Sequence, residues 1–196
     1  MAANSASPWR KAALFLTAGA ALLGMFAAPL SAQAIRVAPQ ALSPEARYVF
    51  FTVSAAPASV NFNLVSGGIA SGSNAIAITT SWGNRLCFGT CTVTLYAYFA
   101  SAQTALSSGA TAVSIPSSAV LGQVPTGTPT NYTAFTQSSP VGGAGASLQL
   151  LSFTARGRGG KSSRTDNLNL EIDLSGQPQL PAGTYTGTLY IQAESL

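Results

Sequence analysis

Residues 165–196 repeat with a period of two. Leu168, Leu170, Ile172 and Leu174 take every second position, and Asn167, Asn169, Glu171 and Asp173 fill the gaps. Successive side chains of an extended strand point to opposite faces, so this stretch predicts a strand with one face in a core and the other in water. Tyr185, Leu189, Ile191 and Ala193 repeat the pattern against Thr184, Thr186, Thr188, Tyr190, Gln192 and Glu194. Gly187 falls on the apolar side, where a glycine marks a bulge or a close backbone approach. Between the two stretches Leu180-Pro181-Ala182-Gly183 suits a type I turn, so the pair reads as a hairpin.

The opposite end has a different grammar. Arg10 and Lys11 precede an apolar run from Ala12 to Ala28, and Ala32-Gln33-Ala34 supplies the small-x-small pattern of a signal peptidase site. Residues 1–34 are therefore expected to be a cleaved secretory signal rather than a membrane anchor, the run being only about seventeen residues and lacking a stop-transfer cluster. Removing 34 residues from 196 leaves 162, residues 35–196, enough for one domain. Of nine basic residues Arg10 and Lys11 leave with the signal, so seven face five acidic ones and the net charge is +2. So sparse a charge argues against a nucleic-acid partner. The chain is expected in the periplasm, at the cell surface or outside the cell, with no stable membrane span after cleavage.

Further strand signals follow the lead at 35–47. They lie at 48–55, 59–65, 75–82, 92–99 and 146–155, with short apolar pieces at 112–115 and 119–124 and a Gly/Ser loop at 66–74. Alternation slips at Leu150-Leu151, as across a bulge. About seven to nine strands without an amphipathic helix predict an all-β fold, an antiparallel immunoglobulin-like β-sandwich; a barrel is the alternative.

Few residues offer chemistry. The chain has no His, and no Gly-x-Ser-x-Gly elbow, which removes a conventional hydrolase triad. No cofactor and no catalytic or metal site is expected, and the chain reads as non-enzymatic. Cys87 and Cys91 are the two cysteines. In an exported chain an even count favours a disulfide, and a three-residue hairpin loop would set them at bridging distance. So short a closed loop gains only about 2 kcal/mol.

Arg156, Arg158, Lys161 and Arg164 crowd into RGRGGKSSR. That segment is a candidate contact for an anionic surface, or simply a solvated hairpin tip. Glu171 and Asp173 share a strand face, where an exposed charge row opposite Arg or Lys is a simpler account than a catalytic pair. Tyr96, Tyr98 and Tyr190 fall on the predicted polar faces and are candidate ligand-face aromatics, suited to a surface glycan. Asn131-Tyr132-Thr133 fits the N-glycosylation pattern.

The segment PAGTYTGTLYIQ, residues 181–192, resembles the closing strand of the spore coat protein U domain and of the related subunits of archaic chaperone-usher pili, which end with a Pro-Ala-Gly-Thr-Tyr turn and an alternating strand. Gly187 stands where that family usually has an acidic residue. The resemblance implies an exported immunoglobulin-like subunit, complete or lacking one strand, whose groove takes a strand from a periplasmic chaperone and then from a like subunit. Such β-augmentation draws affinity from main-chain hydrogen bonds and register from alternate side chains. Pro39 and Pro44 interrupt the N-terminal IRVAPQALSPEAR, which is expected to make a poor donor strand. Two functions follow as expectations: a structural or adhesive surface protein assembled by strand donation, or a complete secreted sandwich that binds glycan or surface ligands.

Overall fold

The computed structural model describes residues 33–40, 51–83, 90–138, 141–156 and 162–195, and these form two β-sheets packed face to face. In chain order the first strands are β1 (Gln33–Pro39), β2 (Phe51–Ala56), β3 (Ser59–Phe62), β4 (Ile69–Ser71), β5 (Ile76–Trp82) and β6 (Thr90–Tyr98). Short strands β7 (Leu106–Ser108), β8 (Ser114–Ile115), β9 (Val120–Gln123) and β10 (Thr133–Ala134) follow, with a 3-10 turn at Ser117–Ala119. Long strands β11 (Ser147–Arg156), β12 (Ser162–Asp173) and β13 (Tyr185–Ser195) complete the set. One sheet runs β11-β6-β13-β1-β3, with β7 on β13 and β8 on β7; the other runs β10-β9-β12-β5-β2, with β4 on β12. The expected all-β sandwich is the fold. Its strands are more numerous and shorter than the pattern suggested, β4 arising inside the segment read as a loop.

Alternation decides what each strand buries. Leu95, Leu148, Leu189 and Ile191 project from one sheet and Ile76, Ile78, Leu168 and Leu170 from the other, all essentially inaccessible to solvent. Each such side chain contributes about 1.5–3 kcal/mol over the exposed state. Phe99 and Phe135 meet edge to face at 5.2 Å inside the core, and Trp82 of β5 meets Phe153 of β11 at 4.7 Å, joining the two sheets. The slip at Leu150-Leu151 is a bulge, where the β11–β6 register shifts between Gln149 and Leu151.

Three expectations are corrected. Strands β12 and β13 form no hairpin: β12 pairs with β4, β5 and β9, whereas β13 pairs with β1, β6 and β7 in the other sheet. Their connection is a corner between sheets, and buried Tyr185 fastens it by donating its hydroxyl to the Pro181 carbonyl at 3.0 Å. A hydroxyl bonded back to the main chain four residues upstream has the geometry of a tyrosine corner. The strands that flank the basic segment, β11 and β12, likewise stand in different sheets and do not pair as a hairpin, residues 157–161 between them lying outside the described residues.

The third correction concerns the proline-punctuated lead. Residues 33–39 are a central strand, β1, hydrogen-bonded antiparallel to β3 and parallel to β13, with Ile35 opposite Gly187 and Val37 opposite Leu189. Ile35 and Val37 are buried, and Pro39 closes the strand, where its missing N–H interrupts no interior ladder. The sandwich is therefore not wholly antiparallel. Both edges of β13 are occupied, by β6 and β7 on one side and by β1 of the same chain on the other.

Gly187 fits the close approach its position predicted. A Cβ there would collide with the backbone carbonyl of Ala105, which cannot retreat without moving β7. Gly187→Ala is expected to lower the unfolding free energy by about 3 kcal/mol in urea denaturation. Gly176→Ala, at a turn with nothing within 4 Å, should change it by less than about 0.5 kcal/mol.

Candidate functional site

The polar positions of β6, β13 and β1 form the outer face of the larger sheet. Tyr98 lies opposite Tyr190 across the β6–β13 ladder, and Tyr96 lies opposite Gln192. This register brings all three sequence-predicted tyrosines onto one surface. The rings of Tyr98 and Tyr190 stack with centroids 5.3 Å apart and planes inclined by 20°, and the Tyr98 hydroxyl donates to Gln192 Oε1 at 3.2 Å. Gly142, at φ +84°, lies against the Tyr98 ring so closely that no Cβ would fit there. Burial first, then the neighbouring Tyr190 and Glu194, push the Tyr98 phenol above its ordinary value, so it stays protonated and able to donate at neutral pH.

Beside the stack is an open depression of about 420 Å³. Its polar lining comes from Arg36 on β1, Thr104 and Ser107 around β7, and Thr186, Thr188 and Tyr190 on β13. Arg36 sits in register with Thr188, on the outward side of the strand whose Ile35 and Val37 enter the core. Sequence reasoning passed over Arg36. Its signal was present in the apolar-polar-apolar run Ile35-Arg36-Val37, but nothing local showed that this run would lie beside β13.

Arg164 is placed differently from the loop in which it was expected. It belongs to β12, and its guanidinium grips Asp166 through Nε to Oδ2 at 2.7 Å and Nη2 to Oδ1 at 2.8 Å, while Nη2 also donates to the Thr126 carbonyl at 2.6 Å. Asp166 points inward at the end of the core and accepts a further hydrogen bond from the Thr126 hydroxyl at 2.7 Å. Arg158 and Lys161 lie outside the described residues, as does the side chain of Arg156. The Cys87–Cys91 pairing also lies outside them: Cys87 is not described, and for Cys91 only the backbone pairing with Ala155 is.

Glu171 and Asp173 do face the same way, but neither pairs with an Arg or Lys among the described residues. Glu171 accepts from the Ser71 hydroxyl at 3.0 Å, and Asp173 accepts from the Ser175 backbone N–H at 2.9 Å. Asp166 points to the other face of the same strand, so β12 does not gather its carboxylates into one cleft. Within the Asn131-Tyr132-Thr133 sequon the Thr133 hydroxyl donates to the Asn131 carbonyl at 3.0 Å on the protein surface. No helix among the described residues is long and apolar enough to cross a membrane. No family model and no curated protein matches the sequence.

The Arg164–Asp166 pair gives a pH signature. Burial alone would raise the Asp166 carboxyl, but the hydrogen bonds from Arg164 and Thr126 outweigh it and hold the group below its ordinary value. A depressed carboxylate contributes stability that is present above the unfolded value near 4 and is lost as pH falls through the folded one. Asp166→Asn is expected to cost about 2 kcal/mol at pH 7, less than a fully buried pair because the Arg164 side chain is 37% exposed. Urea midpoints measured from pH 7 to pH 2 should converge for the two proteins at the acid end.

Proposed function

We propose that this chain is an exported, non-enzymatic structural or adhesive protein of the cell surface, whose sandwich is completed by a strand at the β1 position supplied by its own chain or by a neighbour. The observation that supports the reading is the placement of β1. It is a short segment, far in sequence from its partner β13, and among its described side chains Ile35 and Val37 enter the core. Its two apolar side chains hold it with about 3–5 kcal/mol of burial, to which the ladders on both edges add. A segment so held can leave its slot while the rest of the sandwich persists, and a like strand from a second copy or from a chaperone can take its place.

A second reading follows from the Tyr98–Tyr190 stack. With β1 in place the domain has no gap beside β13, and the tyrosine face serves a finished sandwich as a surface for glycan recognition. Rigid aromatic rings that combine an apolar body with a polar tip suit such a role.

A chain beginning at residue 41 separates the two. Under the first reading it aggregates or unfolds at low denaturant, and a synthetic peptide of residues 35–40 restores a monodisperse, cooperatively unfolding species by light scattering and circular dichroism. The labelled peptide should also enter the longer chain over hours, displacing β1. A truncated chain that remains monomeric and unaltered in stability, or a peptide that never enters either protein, would falsify the strand-completion reading.

A further inference from the structure

We infer that the depression beside the tyrosine stack is a binding site for an acidic saccharide, a sugar bearing a carboxylate, with Arg36 as the group that recognises the acid. This rests on the second reading above, that the outer face of the larger sheet meets a ligand.

The argument starts from what the lining groups lack. The Arg36 guanidinium and the hydroxyls of Thr104, Ser107, Thr186 and Thr188 all border one depression, and none of them has a hydrogen-bond partner or ion pair among the described residues. Arg164 makes the contrast, since its guanidinium is engaged by Asp166 and by the Thr126 carbonyl. Along the outer face of β13 the first carboxylate is Glu194, six residues from Thr188 and therefore about 20 Å away. Arg36 thus presents a cation that no anion among the described residues neutralises.

The ligand class follows from those groups. A guanidinium is a planar fork that matches a carboxylate through two parallel hydrogen bonds. Ser and Thr hydroxyls both donate and accept, as sugar hydroxyls require. Tyr190 stands at the rim with Tyr98 stacked against it, a braced aromatic face on which the C–H side of a sugar ring can lie. The volume falls within the 300–1,000 Å³ span of small-ligand sites. A nucleic acid would need several cations rather than one. Because Arg36 belongs to β1, the strand that completes the sheet also carries the residue that completes this site.

The test is calorimetric titration of the mature chain with oligogalacturonate and with its methyl ester at low and high salt. The acid form is expected to bind roughly tenfold or more tightly than the ester, with the advantage shrinking as salt rises. Arg36→Gln should remove that advantage while leaving the urea midpoint unchanged, Arg36→Lys should retain part of it, and Thr188→Val should weaken both forms. Equal binding of acid and ester, indifference to Arg36→Gln, or tighter capture of inorganic phosphate or of a peptide C-terminus would overturn the acid assignment. In the case of equal binding the ligand-face reading survives. Silence toward both sugars and a wider glycan array would sink that reading as well.

Discussion

Strand β13 must be hydrogen-bonded on both edges, and much of the fold is arranged to meet that demand. Its apolar residues Tyr185, Leu189, Ile191 and Ala193 are wholly buried, so the strand lies in the middle of the larger sheet, where an unpaired backbone group would carry a full desolvation cost. Strands β6 and β7 satisfy one edge in succession. The other is met from the far end of the chain, by β1. Gly187 belongs to the same solution, because β7 can reach β13 only if the Ala105 carbonyl passes where a side chain would otherwise stand.

Much of this was legible in the residues. The alternation at 168–174 and 185–193 named the buried faces correctly, the slip at Leu150-Leu151 marked a bulge, and Gly187 marked a close approach. What stayed hidden shares a physical cause. Period-two patterning says that one face is buried but not against which sheet, since the two inner faces of a sandwich are chemically alike. A Pro/Gly turn reverses the chain without specifying that the flanking strands pair. Thus β12 and β13 read as a hairpin although they stand on opposite sides of the core. Strand β1 offered only Ile35 and Val37 before a proline, too short a run to reveal a pairing with residues at the other end of the sequence.

The candidate site shows the same division. Tyr96, Tyr98 and Tyr190 could be assigned to polar faces because each sits at the wet phase of an alternating strand, but only the β6–β13 register makes Tyr98 and Tyr190 neighbours. Arg164 could not be read from composition. Gly and Ser around it suggested a loop, while its partner Asp166, an inward-facing carboxylate two residues along the same strand, required a cation at that point. Arg36 is the reverse case, a charge with no internal partner among the described residues that becomes conspicuous only once the fold sets it beside four hydroxyl side chains.

The parallel pairing of β1 with β13 also sets an order of events. Ile35 and Gly187 are register partners although about 150 residues separate them, so β1 waits for a strand formed by the far end of the chain. Sequence separation of this size makes closure entropically slow. Until that closure one edge of β13 lacks its ladder and Ile35 and Val37 lack their burial. The ease with which the sandwich closes is thus governed by how quickly its two most distant strands meet.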